Sequence, residues 1–458
     1  MRSIFLLFFV ILLVFSVSCV KKNDFTSDPS VGLEFSSDSV LFDTVFTGMS
    51  SITQRVKVFN RNNQAVRISN VVLAGGEASS YKINIDGIVD SQFSNLVLRG
   101  NDSLNLFVKV NVEPDMRQQA FRVEDYISFS TNGNQQKIAL SAYGQNAKVL
   151  TDLVVDDNLV LDDKLPYIIY GTLKVDPDKI LTIKKGARLF FHKDAGMLLA
   201  GSLKVEGELR NPVIFASDRL ERIYAEEPGQ WKGLHFLGSS KNNIINHARI
   251  KNAIVGIQTD GLQAGINADI VLANSIIKNM ELFGLYSNGS SIDAFNTIIT
   301  NCGKHLVYAI NGGKYNFKQN TFFNSNYSFI RLNPSLAFSD GSAGSNFLLS
   351  VELVNNIIWG TLQDELLIEK NGSTPLALNV KYNLIKTKSG AFDATNILNK
   401  DPLFKSTRSY NFFLTSGSVA LDKGTDLSSD LQFDVWLNKD LNGAKRLFPS
   451  DLGSYELL

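Results

Sequence analysis

Six short stretches of the chain share one frame. They are His247-Ala248-Arg249-Ile250-Lys251-Asn252, Asn274-Ser275-Ile276-Ile277-Lys278-Asn279, Asn296-Thr297-Ile298-Ile299-Thr300-Asn301 and Asn320-Thr321-Phe322-Phe323-Asn324, followed by Asn355-Asn356-Ile357-Ile358-Trp359-Gly360 and Tyr382-Asn383-Leu384-Ile385-Lys386. Their first positions recur every 22 to 35 residues. Each repeat is a short apolar run bounded by polar turn residues, which is the pattern of a solenoid. Such a strand cannot bury its faces alone and must stack on the next coil. The stretch from about Ile180 to Leu403 is therefore read as one stack of parallel strands. Only its two ends are left as open edges.

The asparagines at the ends of these runs have a physical role in that reading. Asn tolerates the left-handed backbone that a tight coil corner requires. Aligned as above, Asn252, Asn279 and Asn301 share one column, and Asn274, Asn296, Asn320 and Asn355 share another. Stacked amides can donate and accept along each column, so both are expected to be structural ladders.

Upstream of this region the chain opens with Gly171-Thr172-Leu173-Lys174-Val175, Leu181-Thr182-Ile183-Lys184-Lys185-Gly186-Ala187 and Gly201-Ser202-Leu203-Lys204-Val205-Glu206-Gly207. Together with Asn211-Pro212-Val213-Ile214-Phe215-Ala216-Ser217, Gln230-Trp231-Lys232-Gly233-Leu234-His235-Phe236 and the Asn-Ser-Ile-Ile coils, these resemble the right-handed parallel β-helix proteins of the pectin-lyase-like superfamily. The resemblance implies the fold over residues 148–400. It leaves activity open, because the same coils carry lyases, hydrolases, adhesins and scaffolds.

Residues 31–147 read differently. Val56-Lys57-Val58-Phe59, Tyr81-Lys82-Ile83-Asn84-Ile85 and Leu104-Asn105-Leu106-Phe107-Val108-Lys109-Val110 alternate with period two, and Gly75-Gly76, Asn101-Asp102 and Asn132-Gly133 supply turns. This predicts a β-sandwich of about seven strands. Phe42-Asp43-Thr44-Val45, Val58-Phe59-Asn60 and Ile138-Ala139-Leu140-Ser141-Ala142-Tyr143-Gly144 resemble immunoglobulin-like modules of the ASH and Hydin type. Such modules have no active site, which implies a spacer or contact role. The fold class is thus all-β, an immunoglobulin-like β-sandwich followed by a right-handed parallel β-helix.

The N-terminus carries a targeting pattern. Arg2 precedes an almost continuous apolar run from Ile4 to Val17, too short for a membrane span of roughly 20 residues. The run ends at Ser16-Val17-Ser18-Cys19, which resembles the lipobox of bacterial lipoproteins, with Ser16 where a Leu is usual. The resemblance implies a signal peptide over 1–18, lipidation of Cys19, a tether over 19–30 and membrane attachment through the lipid. Val20 rather than Asp after the cysteine favours the outer membrane within the cell envelope.

After the coils, Asp401-Pro402-Leu403-Phe404, Gly417-Ser418-Val419-Ala420-Leu421-Asp422-Lys423-Gly424, Asp440-Leu441-Asn442-Gly443-Ala444-Lys445-Arg446 and Asp451-Leu452-Gly453-Ser454-Tyr455-Glu456 resemble the end of secreted β-helix proteins of the choice-of-anchor Q group. Residues 401–458 are expected to cap the last open coil. Asp401, Asp422, Asp440 and Asp451 are read as turn formers beside Gly or Pro rather than as a metal site.

Composition bounds the function. Lys+Arg 45 against Asp+Glu 45 gives a net charge of zero, a balance from which no basic face for nucleic acid can be assumed. Cys302 is the remaining thiol once Cys19 is assigned, and is read as a small buried apolar residue. The four histidines lack metal-ligand spacing. No cofactor is implied, save calcium in the lyase alternative.

No catalytic cluster stands out. Lys251 and Lys278 fall in one column about 5 Å apart, with Thr300 and Asn324 below them, and form a candidate anionic-glycan site against the plainer reading of two solvated lysines. The insertions Ser217 to Gln230, Thr259 to Ala268 and Asn333 to Asn346 are candidate contact surfaces. Tyr224, Trp231 and Phe338 are candidate sugar-stacking rings, although burial is the commoner fate of such residues. Glu221, Glu226 and Glu227 read as a solvated acidic loop. The expectation is a lipid-anchored envelope protein whose β-helix binds polysaccharide or a partner without catalysis. The alternatives are a polysaccharide lyase or glycoside hydrolase acting on acidic glycans, and a structural scaffold or adhesin.

Overall fold

The computed structural model describes residues 24–261, 269–325, 330–344 and 346–457. Cys19 and its signal sequence lie outside the described residues, as does most of the insertion Thr259 to Ala268. The chain divides into two compact units, Met1–Asn146 and Ala147–Leu458.

The first unit holds two five-stranded sheets. One runs in the order Glu34–Phe35, Gln54–Asn60, Asp102–Val110, Tyr81–Ile85, Ile88–Asp90. The other runs Ser39–Phe46, Asn134–Gln145, Phe121–Thr131, Val66–Leu73, Gln92–Leu98. All pairs are antiparallel except Ser39–Phe46 with Asn134–Gln145. Alternate residues such as Val58, Ile68, Ile83, Leu106, Val108, Ile127 and Phe129 bury into one core, as the period-two pattern requires. The buried Tyr81 donates its hydroxyl to the Val123 carbonyl at 2.8 Å. Ten strands form rather than seven. Gln92–Leu98 escapes the sequence pattern because its side chains do not alternate strictly between core and solvent.

The second unit is the parallel β-helix. Three all-parallel sheets of eleven, nine and nine strands run its length, and each full coil contributes one strand to each sheet. The first coil is Lys148–Thr151, Val154–Val155 and Leu159–Leu161, and the first sheet ends at Ile397–Leu398. Interior columns are mostly aliphatic or aromatic, with buried polar positions such as Thr259 and Ser287 bonded to each other. In the first sheet Leu189, Phe215, Ile250, Ile277, Ile299, Phe322, Ile358 and Ile385 stack in register. All eight are buried in a single core. Cys302 joins that core, and burial pushes its thiol up to about 12.

The corner asparagines adopt the left-handed backbone. Asn252, Asn279 and Asn301 do so in one column, and their amides link Asn301 to Asn279 at 2.7 Å and Asn279 to Asn252 at 3.3 Å. The other corner column holds His247, Asn274, Asn296, Gln319, Asn355 and Tyr382, all at positive φ. Asn320 does not belong to it. The register pairs Ile298 with Thr321, so Gln319 takes the corner and Asn320 sits one position further on. There it starts a second, wholly interior ladder with Asn356, Asn383 and Asn396. Each Oδ1 accepts from the main chain of the coil before it, as Asn356 does from Asn320 N at 2.9 Å, while each Nδ2 donates to a buried carbonyl.

The described contacts of the C-terminal segment run along the flank of the stack. Phe412 and Phe404 pack on Phe323, and Leu414, Ala420 and Leu452 pack on Ile357 and Leu384. Tyr410 bonds Asn279 and Asn301, and Arg446 bonds Asn296. At the end of the core, Phe392 and Leu398 pack against the interior. Of the four aspartates weighed as a metal site, three accept main-chain amides: Asp401 from Leu403, Asp440 from Asn442 and Ala444, and Asp451 from Asp422 and Leu457. Asp422 has the left-handed backbone of a turn.

Candidate functional site

The outward residues of the first sheet form two rows. One contains Ile214, Arg249, Ile276 and Ile298, and the other contains Ala216, Lys251, Lys278, Thr300 and Phe323. Lys251 and Lys278 are thus ladder neighbours. Asn324 is not in their column, because Phe323 pairs with Thr300; Asn324 turns inward, accepting from Cys302 N at 3.0 Å.

Over these rows lies a groove of about 480 Å³. Its floor is Phe190, Ile214, Ile276 and Ile298, with Arg249, Lys251, Lys278 and Thr300 rising from it. One wall is the insertion after Ser217, contributing Arg219, Leu220 and Ala225; the other is the C-terminal hairpin, contributing Tyr410 and Phe412. An apolar floor studded with cations suits a ligand that carries both carbon surface and negative charge.

The insertion is pinned to the coils by its backbone. Asn252 Nδ2 donates to the carbonyls of Tyr224 and Ala225, Gln230 Nε2 donates to those of Tyr224 and Glu227, and Lys251 Nζ reaches Ala225 O at 3.4 Å. Within it Arg219 pairs with Glu221 and lies 3.9 Å over the Tyr224 ring. Tyr224 therefore spends a ring face on Arg219.

Glu226 is an exposed loop acid, as the sequence suggests, but a paired one. Its carboxylate takes Lys278 Nζ at 2.8 and 2.9 Å and Asn279 Nδ2 at 2.5 Å. Burial works to raise its pKa, but those hydrogen bonds and the charges of Lys278 and Lys251 outweigh it and hold the carboxyl below its ordinary value. Burial lowers the Lys251 pKa; Lys278 adds to this and Glu226 opposes it. Tyr410 closes the far side, its ring 4.6 Å from Lys278 Nζ and its hydroxyl 3.1 Å from Asn279 Oδ1. Burial, with Glu226 adding, pushes that phenol up to about 12. Among the described residues no carboxylate pairs with Arg249 or Lys251.

Trp231 is corrected as an exposed sugar platform. It is 0% exposed, stacks on Phe191 at 4.1 Å inside the coil, and donates Nε1 to Lys251 O at 2.8 Å. Alternation places it so: Gly233, next in the same motif, has φ +109, and an added Cβ would lie 1.7 Å from Val255 O. Phe338 is likewise buried. Sequence spacing brought Lys251 and Lys278 together but missed Arg249, Glu226 and Tyr410. The last two meet Asn279 from 53 and 131 residues away.

A second cluster lies on the outer face of the second sheet. Phe283, Tyr286, His305 and Tyr308 stack, the tightest pair being His305 with Tyr308 at 4.7 Å and 8°. The rings spend their faces on one another, which marks a packing ladder rather than a sugar platform. No group of three or more His, Cys, Asp or Glu that could hold a metal occurs among the described residues.

No family model matches the sequence, and no curated protein aligns with it. Parts of solved structures do align. A family 123 glycoside hydrolase from Clostridium perfringens aligns at 9% identity and TM-score 0.19, over 26% of this chain and 30% of the hydrolase. The ASH/PapD-like domain of human CEP192 aligns at 14% identity and TM-score 0.18, over 29% of this chain and 95% of that domain. The E. coli chaperone DraB aligns at 11% identity and TM-score 0.17, over 25% of this chain and 54% of the chaperone. The chain thus spans less than a third of that hydrolase, and the likenesses concern fold segments, not activity.

Proposed function

We propose that this chain is a lipid-anchored cell-envelope protein whose β-helix binds a polysaccharide in the groove over Lys251 and Lys278, without turning it over. The observation that carries the reading is the groove itself: an apolar floor with three cations, Arg249, Lys251 and Lys278, walled by an insertion and by the C-terminal hairpin. An extended chain of rings offers apolar faces to the floor and polar groups to Arg249 and Lys251. Binding without catalysis is favoured because no carboxylate is among the described residues that line the groove, and the nearby acids Glu221 and Glu226 pair with Arg219 and Lys278. Neither stands as one of two opposed acids, as glycoside hydrolysis requires.

The test is a panel of neutral and acidic polysaccharides presented to the purified protein. Ultraviolet absorbance of unsaturated uronate and release of reducing ends are followed in parallel, with and without calcium. Retention without product is the expected result. Product formation would replace this reading with a lyase or hydrolase, and a blank panel would leave a scaffold or adhesin. Anchoring through Cys19 is tested separately: globomycin should leave an unprocessed precursor, and normal processing would refute it.

A further inference from the structure

Lys278 donates to both oxygens of Glu226, Asn279 adds a third contact, and Lys251 stands one coil away. Two donors making three contacts to one carboxylate, with a second ammonium one coil away, form an oxyanion site. The carboxylate in it belongs to the chain. Its backbone is pinned through Tyr224 and Ala225, yet the Glu226 side chain is 53% exposed while that of Lys278 is 22% exposed. Rotation about the Glu226 stem therefore frees the site without moving the insertion. The contact holding it is weak, since solvent screens a half-exposed ion pair.

We propose that Lys278 and Asn279, backed by Lys251, form an oxyanion subsite of the groove, and that Glu226 is its built-in occupant, displaced when a carboxylate or sulfate on the ligand takes its place. This rests on the glycan-binding reading. Glu226 then sets a threshold: a chain with one weak anion does not displace it, whereas a regularly charged chain that also uses Arg249 and the apolar floor does. It also screens Lys251 and Lys278 from each other in the empty groove.

The experiment measures binding of the full chain to a polyuronate, a sulfated polysaccharide and a neutral glucan, by calorimetry. The wild type is compared with Glu226→Gln, Glu226→Ala and Lys278→Met, with thermal midpoints confirming the fold of each. Both Glu226 variants should bind the charged probes about tenfold more tightly, near 1.4 kcal/mol, with a steeper loss on adding salt. Their affinity for the neutral glucan should not change. Lys278→Met should weaken both charged probes, and the two charged arms separate a carboxylate from a sulfate ligand. Equal or weaker binding by both Glu226 variants overturns the subsite. If binding persists but ignores position 226, this inference alone falls; if no glycan binds any form, the glycan-binding reading falls with it.

Discussion

The first sheet of the β-helix presents one continuous outer face with two fates. Towards its C-terminal coils the outward residues are Phe323, Ile357, Trp359 and Leu384, and the C-terminal segment covers them with Phe404, Phe412, Leu414 and Leu452. Some coils earlier the same columns carry Arg249, Lys251, Lys278 and Thr300, and the cover stops at Tyr410, leaving the groove. One interior column beneath, Ile250, Ile277, Ile299, Phe322 and Ile358, is aliphatic or aromatic in both halves. The difference between covered and open face is written in the outward side chains. An apolar outer face is completed within the chain, and a cationic one is left for something else.

That contrast can be broken from the covered side first. Phe412→Ala, at a residue 2% exposed against Phe323, should cost about 3 kcal/mol in chemical denaturation. A loss under about 1 kcal/mol would mean the flank is only loosely laid on. The second sheet supplies a comparison under acid. Burial lowers His305 to about 4, the carbonyl of Pro334 accepting from its Nδ1 at 2.7 Å and opposing the shift. Its folded pKa lies below the unfolded value of 6.5, so its contribution is present above pH 6.5 and lost as pH falls from 6.5 through about 4. The loss is on the order of 3 kcal/mol, and His305→Gln should flatten the stability profile in that window.

Asn296 joins the two halves. Its Nδ2 donates to Trp436 O and Lys439 O, and its Oδ1 accepts from Arg446. Asn296→Leu should lower stability by about 2 kcal/mol, visible as a fall in melting temperature; an unchanged value would deny the amide its role. On the open side effects on stability should be smallest. Lys278→Met and Glu226→Gln should each stay within about 0.5 kcal/mol of wild type, and a larger loss would make the groove a structural seam.

The sequence made the coils legible because every strand repeats the same short choice: apolar in, polar out, Asn at the bend. It misplaced Asn320 because two neighbouring positions both favour asparagine for different reasons. One is a left-handed corner, the other an interior ladder, and Asn355-Asn356 shows both side by side. The groove was half legible. Lys251 and Lys278 share a column by spacing alone, whereas Glu226 and Tyr410 arrive from an insertion and a tail that carry no period. The flank contacts of the C-terminal segment were hidden for the same reason, since its apolar residues carry no period that names their partners.

The central claim is that the open half of this face is a binding surface. The direct measurement is the affinity of the full chain for an acidic polysaccharide in three forms: wild type, Lys251→Met combined with Lys278→Met, and Lys241→Met at an exposed turn outside the groove. The account predicts at least about a tenfold loss in the double variant and none at Lys241. Equal binding by all three would contradict it.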